Sequence, residues 1–181
     1  MKNSLFTSLI IFIFFGCATS TSVLYEFDET IDFDSYSTFV LCIDDLYVEH
    51  TKFPNSDNNY VRELIANEIE NQMIARNHQT NVLEPELQAG FELIIEEKEA
   101  EFRNCESEDE FEYWHECTID TAFYTEETLV LYVLDFDKNQ VIWQASVACN
   151  MNKSKKNLLS YVNELVAKMF NEYPKVANVS L

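Results

Sequence analysis

Apolar residues recur along this chain in two distinct rhythms. Val61, Leu64, Ile65, Ile69 and Met73 return at three- and four-residue steps, the spacing that puts side chains on one face of an α-helix. Asn58 or Asn59 can cap that helix, which runs to about Asn77, where NHQTNVLEPE ends it and links onward. Leu158, Val162, Leu165, Val166, Met169 and Phe170 make a second helical stripe, stopped by Tyr173-Pro174.

Elsewhere the pattern is that of strands. SVLYEFDE and YSTFVLCI are rich in β-branched and aromatic residues and are parted by an acidic turn at Asp32–Ser35. GFELIIEEKEAEF reads as a strand apolar in its first half and acidic in its second. EETLVLYVLDF and QVIWQASVAC carry the strongest strand signal and flank Asp137-Lys138-Asn139, a hairpin turn. Their centres are apolar at nearly every residue, so both faces are expected to be covered there. DDLYVEHTKFPNSDN reads as a loop, punctuated by Pro54, Asn55 and Ser56. The order is two strands, helix, strand, acidic hairpin, two strands, helix. It predicts an α+β fold: a two-layer sandwich of a mostly antiparallel or mixed sheet with two amphipathic helices on one face.

The first residues obey neither rhythm. Lys2 precedes an eleven-residue apolar run, Leu5–Phe15, broken only by Thr7 and Ser8. About 20 apolar residues are needed to span a bilayer, so the run suits a secretory signal instead. It stops at Phe14-Phe15-Gly16-Cys17, which resembles a bacterial lipobox, where cleavage before the cysteine exposes it to acylation. Residues 1–16 are therefore expected to be a lipoprotein signal peptide and Cys17 the lipid attachment site. Two or more acyl chains hold a protein stably at a membrane. Residues 17–22 then form a neutral tether, residues 23–176 a single α+β domain with an acidic hairpin at 96–118, and residues 177–181 a C-terminal tail. A neutral tether, with no acidic cluster after the cysteine, favours a periplasm-facing domain, and the expected address is the outer membrane.

Charge narrows the choice of partners. The chain has 32 acidic and 12 basic residues, a formal charge of −20. Loss of Lys2 with the signal leaves 32 against 11, or −21. Such a surface repels phosphate backbones and disfavours nucleic acid. The acids concentrate between Glu96 and Glu116, where ten stand with two bases and with Phe102, Phe111, Tyr113 and Trp114. That segment is either a solvated hairpin whose charges discourage edge pairing or a site for a cation or a basic partner.

Candidate chemistry is sparse. Asp135, Asp137 and Asn139 have the opening spacing of a calcium loop, but Gln140 and Ser146 stand where its Gly and Glu belong. His115 lies near Glu112 and Glu116 without a second histidine, and His50 and His78 are isolated in expected loops, so no metal or other cofactor is expected. With only Gly16 and Gly90 in the chain, a strained nucleophile elbow or a phosphate-cradling loop is hard to build. No catalytic residue is identified, and the chain reads as a non-enzyme.

Four cysteines remain after Cys17. Cys105 and Cys117 bracket the acidic loop symmetrically about Phe111, and a bridge closing so short a loop would contribute roughly 3 kcal/mol. They are a candidate disulfide; Cys42 and Cys149 are a second pair or two free thiols. Asp120-Thr121-Ala122 resembles a short acceptor for O-glycosylation of exported proteins, which makes Thr121 a candidate.

Several stretches together resemble the domain-of-unknown-function 4136 family of bacterial lipoproteins: VLYEFDETIDFDSYSTF, LIANEIENQMIARNH, ETLVLYVLDFDKNQVIW and LVAKMFNEYP, in that order. Tyr36, Thr38 and Phe39 match a Tyr-x-Thr-Phe strand, Thr128–Asp135 a Thr-Leu-Val strand ending in Asp, Val141–Trp143 a Val-Ile-Trp strand, and Tyr173-Pro174 the closing pair. Members usually carry glycines where Asn77 and Glu127 stand here, and an Asp where Gly90-Phe91-Glu92 stands. The resemblance implies a lipid-anchored envelope domain of α+β fold without an established activity. The expected function is a non-enzymatic envelope lipoprotein that binds or scaffolds an envelope protein partner. The alternative is a binder of cations or small ligands through the hairpin 96–118.

Overall fold

A computed structural model of the chain describes residues 22–47, 52–106 and 116–177, with backbone alone for 104–106 and 116–117. Among these residues six strands form one open sheet: β1 (Leu24–Phe27), β2 (Thr38–Leu41), β3 (Gln79–Thr80), β4 (Leu87–Glu106), β5 (Glu116–Asp135) and β6 (Gln140–Cys149). Their spatial order is β1-β6-β5-β4-β2-β3. The pairs β1/β6, β6/β5 and β5/β4 are antiparallel, while β2 runs parallel to β4 and β3. The two helices, α1 (Asn59–Ala75) and α2 (Lys155–Phe170), pack on each other and on the sheet. This is the mixed α+β architecture that the periodicities predict.

Helix α1 begins where Asn58 Oδ1 accepts from the Val61 N–H at 3.1 Å, satisfying a donor that the first turn leaves free. It ends through Asn77, whose φ of 63° lies in the left-handed region, a conformation open to glycine and, among other residues, to asparagine. Val61, Ile65, Ile69 and Met73 from α1 and Leu158, Val162, Val166 and Met169 from α2 interleave over the odd-numbered residues of the central strands. Those are Leu87, Ala89, Phe91 and Leu93 of β4 and Leu129, Leu131 and Val133 of β5. One corner is aromatic: Trp143 lies 5.2 Å from both Phe170 and Tyr173, and Phe33 5.3 Å from Tyr173, ring centre to ring centre. Arg76 closes that end, donating to Gln72 Oε1 at 2.8 Å and to the Phe170 carbonyl at 2.6 Å.

Three expectations change. Only one face of β5 and β6 is covered by helices. On the other, Thr128, Val130, Tyr132 and Leu134 are half-buried and Gln144 is exposed. Among the described residues the apolar runs there are sustained by neighbouring side chains within the sheet and not by a second layer. His78 is buried, 1% exposed, and not in a solvent-facing loop; its ring meets Tyr173 edge-on at 6.0 Å. The link after α1 also holds a short strand, β3, because Gln79 and Asn81 donate to the Ser37 and Phe39 carbonyls along β2.

Candidate functional site: the acidic ribbon and its base

β4 and β5 are each 20 residues long, well beyond the five or six of an ordinary strand. Their register is unbroken from Leu87↔Asp135 to Glu106↔Glu116. β2 pairs with β4 only as far as Ala89, and β6 with β5 only as far as Glu127. Among the described residues the two strands therefore have only each other from Glu96↔Glu126 outward, over eleven register pairs. The acidic segment is not a separate hairpin added to the sheet. It is the continuation of the two central strands, a ribbon of about 35 Å at strand rise.

Side chains alternate between the faces of a strand pair, so the ribbon has two characters. Its helix-side face carries Glu97, Glu99, Glu101 and Arg103 on β4, opposite Thr125, Phe123, Thr121 and Ile119 on β5. Phe123 is 75% and Ile119 59% exposed. The other face pairs Glu96 with Glu126, Lys98 with Tyr124, Ala100 with Ala122 and Phe102 with Asp120. Phe102 is 57% and Tyr124 47% exposed. Lys98 Nζ lies 2.6 Å from Glu96 and 3.9 Å from Glu126, which offsets the like-charged pair. That hydrogen bond holds the Glu96 carboxyl below, and the Lys98 amine above, their ordinary ranges.

The base of the ribbon is held by buried polar groups. Glu127, 7% exposed, accepts from Ser56 Oγ at 2.6 Å and from the Met151 N–H at 2.5 Å. It thus joins the loop before α1 to the segment before α2. On the open face, Asp45 Oδ2 accepts from Tyr132 Oη at 2.7 Å and from the Phe91 N–H at 2.9 Å. Burial, with hydrogen bonds to Cys42 and Asp45, pushes the Tyr132 phenol far above its usual range. Arg62 grips Asp57 with two nitrogens, at 2.6 and 2.9 Å, and donates to the Asp45 carbonyl at 2.7 Å. Gly90 is required here: a Cβ on it would meet the Tyr132 hydroxyl and the Asp45 carboxylate.

The residues singled out from sequence fall in different places. Cys17, His50, Glu112 and His115 lie outside the described residues. Thr121 is exposed in the ribbon. Cys105 and Cys117 stand directly opposite one another in the ladder. Cys42 and Cys149 are free thiols with β4 and β5 between their strands; burial and the nearby Glu127 push Cys149 up to about 12. Asp135 is an internal brace: it accepts from Tyr36 Oη at 2.7 Å and from the Lys138 N–H and Nζ at 3.0 and 2.7 Å. Among the described residues no group of three or more His, Cys, Asp or Glu side chains could hold a metal ion. Sequence reading missed the Glu127, Asp45 and Asp57–Arg62 contacts. Glu127 alone carried a signal, as an acid opening a strongly apolar strand.

The architecture recurs in solved structures at low identity. A DUF4136 family protein from Bacteroides thetaiotaomicron VPI-5482 matches with a TM-score of 0.54 and 15% identity, over 88% of this chain and 98% of that one. A PDZ domain protein from Parabacteroides distasonis ATCC 8503 matches with a TM-score of 0.53 and 12% identity, over 87% of this chain. This chain spans only 36% of that longer protein. No curated protein matches the sequence. The family model for Domain of unknown function (DUF4136) matches residues 23–175, and the chain belongs to that family.

Proposed function

We propose that this protein is a non-enzymatic binding module of the bacterial cell envelope, anchored through acylated Cys17 to the outer membrane with its domain facing the periplasm. The ribbon grips an envelope protein partner. The observation that carries the binding role is the ribbon itself. A two-stranded ribbon has no core of its own and is marginal in water, yet this one extends eleven register pairs and exposes Phe102, Ile119, Phe123 and Tyr124. The anchor is supported by the apolar run ending at Gly16-Cys17 and by the resemblance to lipoproteins. No helix among the described residues is long and apolar enough to cross a membrane.

The charge pattern supports a basic partner. Glu97, Glu99 and Glu101 recur every second residue beside Phe123 and Ile119, so an extended segment with Lys or Arg at alternate positions meets acids and aromatics together. The same acids line up along one strand edge and do not converge on a point, which favours a basic peptide segment over a single cation. Nucleic acid is repelled by the same charge.

The test is photo-crosslinking in cells from a probe at position 123, in the native ribbon and in a Glu97→Lys, Glu99→Lys, Glu101→Lys variant. A discrete envelope protein captured by the native chain and lost in the variant is expected. No capture, or equal capture by both, refutes the ribbon as the binding limb. Separately, intact mass of the detergent-extracted protein tests the anchor: an uncleaved, unacylated chain would refute it. Calorimetry with calcium or zinc tests the cation binder, for which no heat is expected.

A further inference from the structure

We propose that Cys105 and Cys117 form a cross-strand disulfide that staples the outer end of the ribbon. Three features of the backbone lead to it. First, the two residues are partners in an unshifted register that begins at Leu87↔Asp135 deep in the sheet. Their pairing is set by the core and not by the loop between them.

Second, the parity of the ladder can be read from groups at its base. The Ala89 carbonyl accepts from the Cys42 N–H, and the Phe91 N–H donates to Asp45, so the odd residues of β4 turn their peptide groups away from β5. The Phe136 N–H donates to the Glu86 carbonyl, which makes the even pairs the hydrogen-bonded ones. Cys105↔Cys117 is an odd pair. It is therefore a non-hydrogen-bonded pair, the kind with Cα atoms about 4.5 Å apart and side chains on one face. That separation lies within the range a disulfide spans, about 4.4–6.8 Å.

Third, no other pairing competes among the described residues. Cys42 and Cys149 belong to β2's end and β6, with β4 and β5 between them. The ribbon also has a physical need for a staple, because among the described residues no third strand supports its outer pairs, which carry like charges.

The chemistry is thiol–disulfide exchange. One cysteine thiolate attacks glutathione disulfide and releases one glutathione; the second attacks the mixed disulfide and releases another. Two thiols thus lose two protons and two electrons, and one glutathione disulfide becomes two glutathione thiols. The proposal does not depend on the envelope address, because the oxidant is supplied in the test.

The reduced full chain, in detergent, is equilibrated with glutathione disulfide and glutathione, acid-quenched, alkylated and cut with a glutamate-specific protease. No Lys or Arg lies between Cys105 and Cys117, whereas several Glu residues do, so this protease separates them. Expected are two peptides that travel together until reduction, one holding Cys105 and the other Cys117, with Cys42 and Cys149 alkylated. Alkylated or glutathionylated Cys105 and Cys117, or a bridge to Cys42 or Cys149, overturns the proposal. A variant with Cys117→Ser and Thr118→Cys moves one thiol to the opposite face; bridging in equal yield overturns it too. The oxidised ribbon is expected to be nicked by protease on the order of a hundredfold more slowly than the reduced one, where opening governs cleavage. Equal rates would count against the staple.

Discussion

Glu127→Ala tests whether the base of the ribbon is held as described. Glu127 receives two hydrogen bonds in a buried setting, from Ser56 Oγ at 2.6 Å and the Met151 N–H at 2.5 Å. Truncation strands both donors where water does not replace the carboxylate. An unsatisfied buried donor costs about 1–3 kcal/mol, and two sharing one small void are expected to cost about 3 kcal/mol together. For a domain of this size that lowers Tm by roughly 6–12 °C. Glu127→Gln keeps one acceptor and the volume, so its loss should be about 1 kcal/mol. Urea unfolding followed by Trp143 fluorescence measures both. If Glu127→Ala lies within about 0.5 kcal/mol of the native chain, the clamp contributes nothing and the reasoning fails. If Glu127→Gln and Glu127→Ala are equal, the loss comes from the charge and not from the stranded donors.

Burial, with Lys175 nearby, pulls the His78 imidazole from 6.5 to about 4; the unfolded chain binds that proton first as pH falls. Stability from this group is full above pH 6.5 and is lost progressively between 6.5 and 4, by up to about 3 kcal/mol; urea midpoints of the native chain and His78→Phe across that window should converge toward pH 4, and parallel curves would refute it. Gly90→Ala drives a methyl into the Tyr132 hydroxyl and Asp45 carboxylate and should cost about 1–3 kcal/mol; a neutral result by thermal melting would show that the two side chains yield freely. The Cys149 thiol, raised to about 12, should resist iodoacetamide at pH 8 until urea unfolds the chain; rapid native labelling would contradict its burial.

The elements were legible where one face of a regular structure decides the residue. Val61, Ile65, Ile69 and Met73 mark α1 because helix burial repeats every 3.6 residues, and the Leu129-to-Val133 run marks β5 because a strand in a sheet is apolar. What sequence did not disclose depends on residues far apart in the chain. Asp45 looks like a loop acid until Tyr132 and the Phe91 N–H meet it across the sheet. His78 looks like punctuation after α1 until Tyr173, 95 residues later, lies over it. The acidic hairpin was visible in composition, and GFELIIEEKEAEF reads as one strand across Glu96; what sequence did not disclose is that β5 continues with it, in unbroken register from Glu116 to Asp135. On β5 the apolar pattern starts only at Glu126-Glu127, so it misses the residues before them that hydrogen bonding joins to the same strand.

That continuity explains how so charged a ribbon can be long. Taken alone, Glu97, Glu99 and Glu101 along one strand and Glu96 opposite Glu126 would oppose pairing. The register is imposed instead from Leu87 to Ile95, where β2, β6 and two helices enforce it, and the outer pairs inherit it one residue at a time. The acids then serve the chain in isolation, because an exposed ribbon edge with Phe102, Ile119 and Phe123 beside it would otherwise recruit other strands. Repulsion between like-charged ribbons opposes such edge pairing, and in the binding role proposed above the same charges would favour a segment of opposite sign.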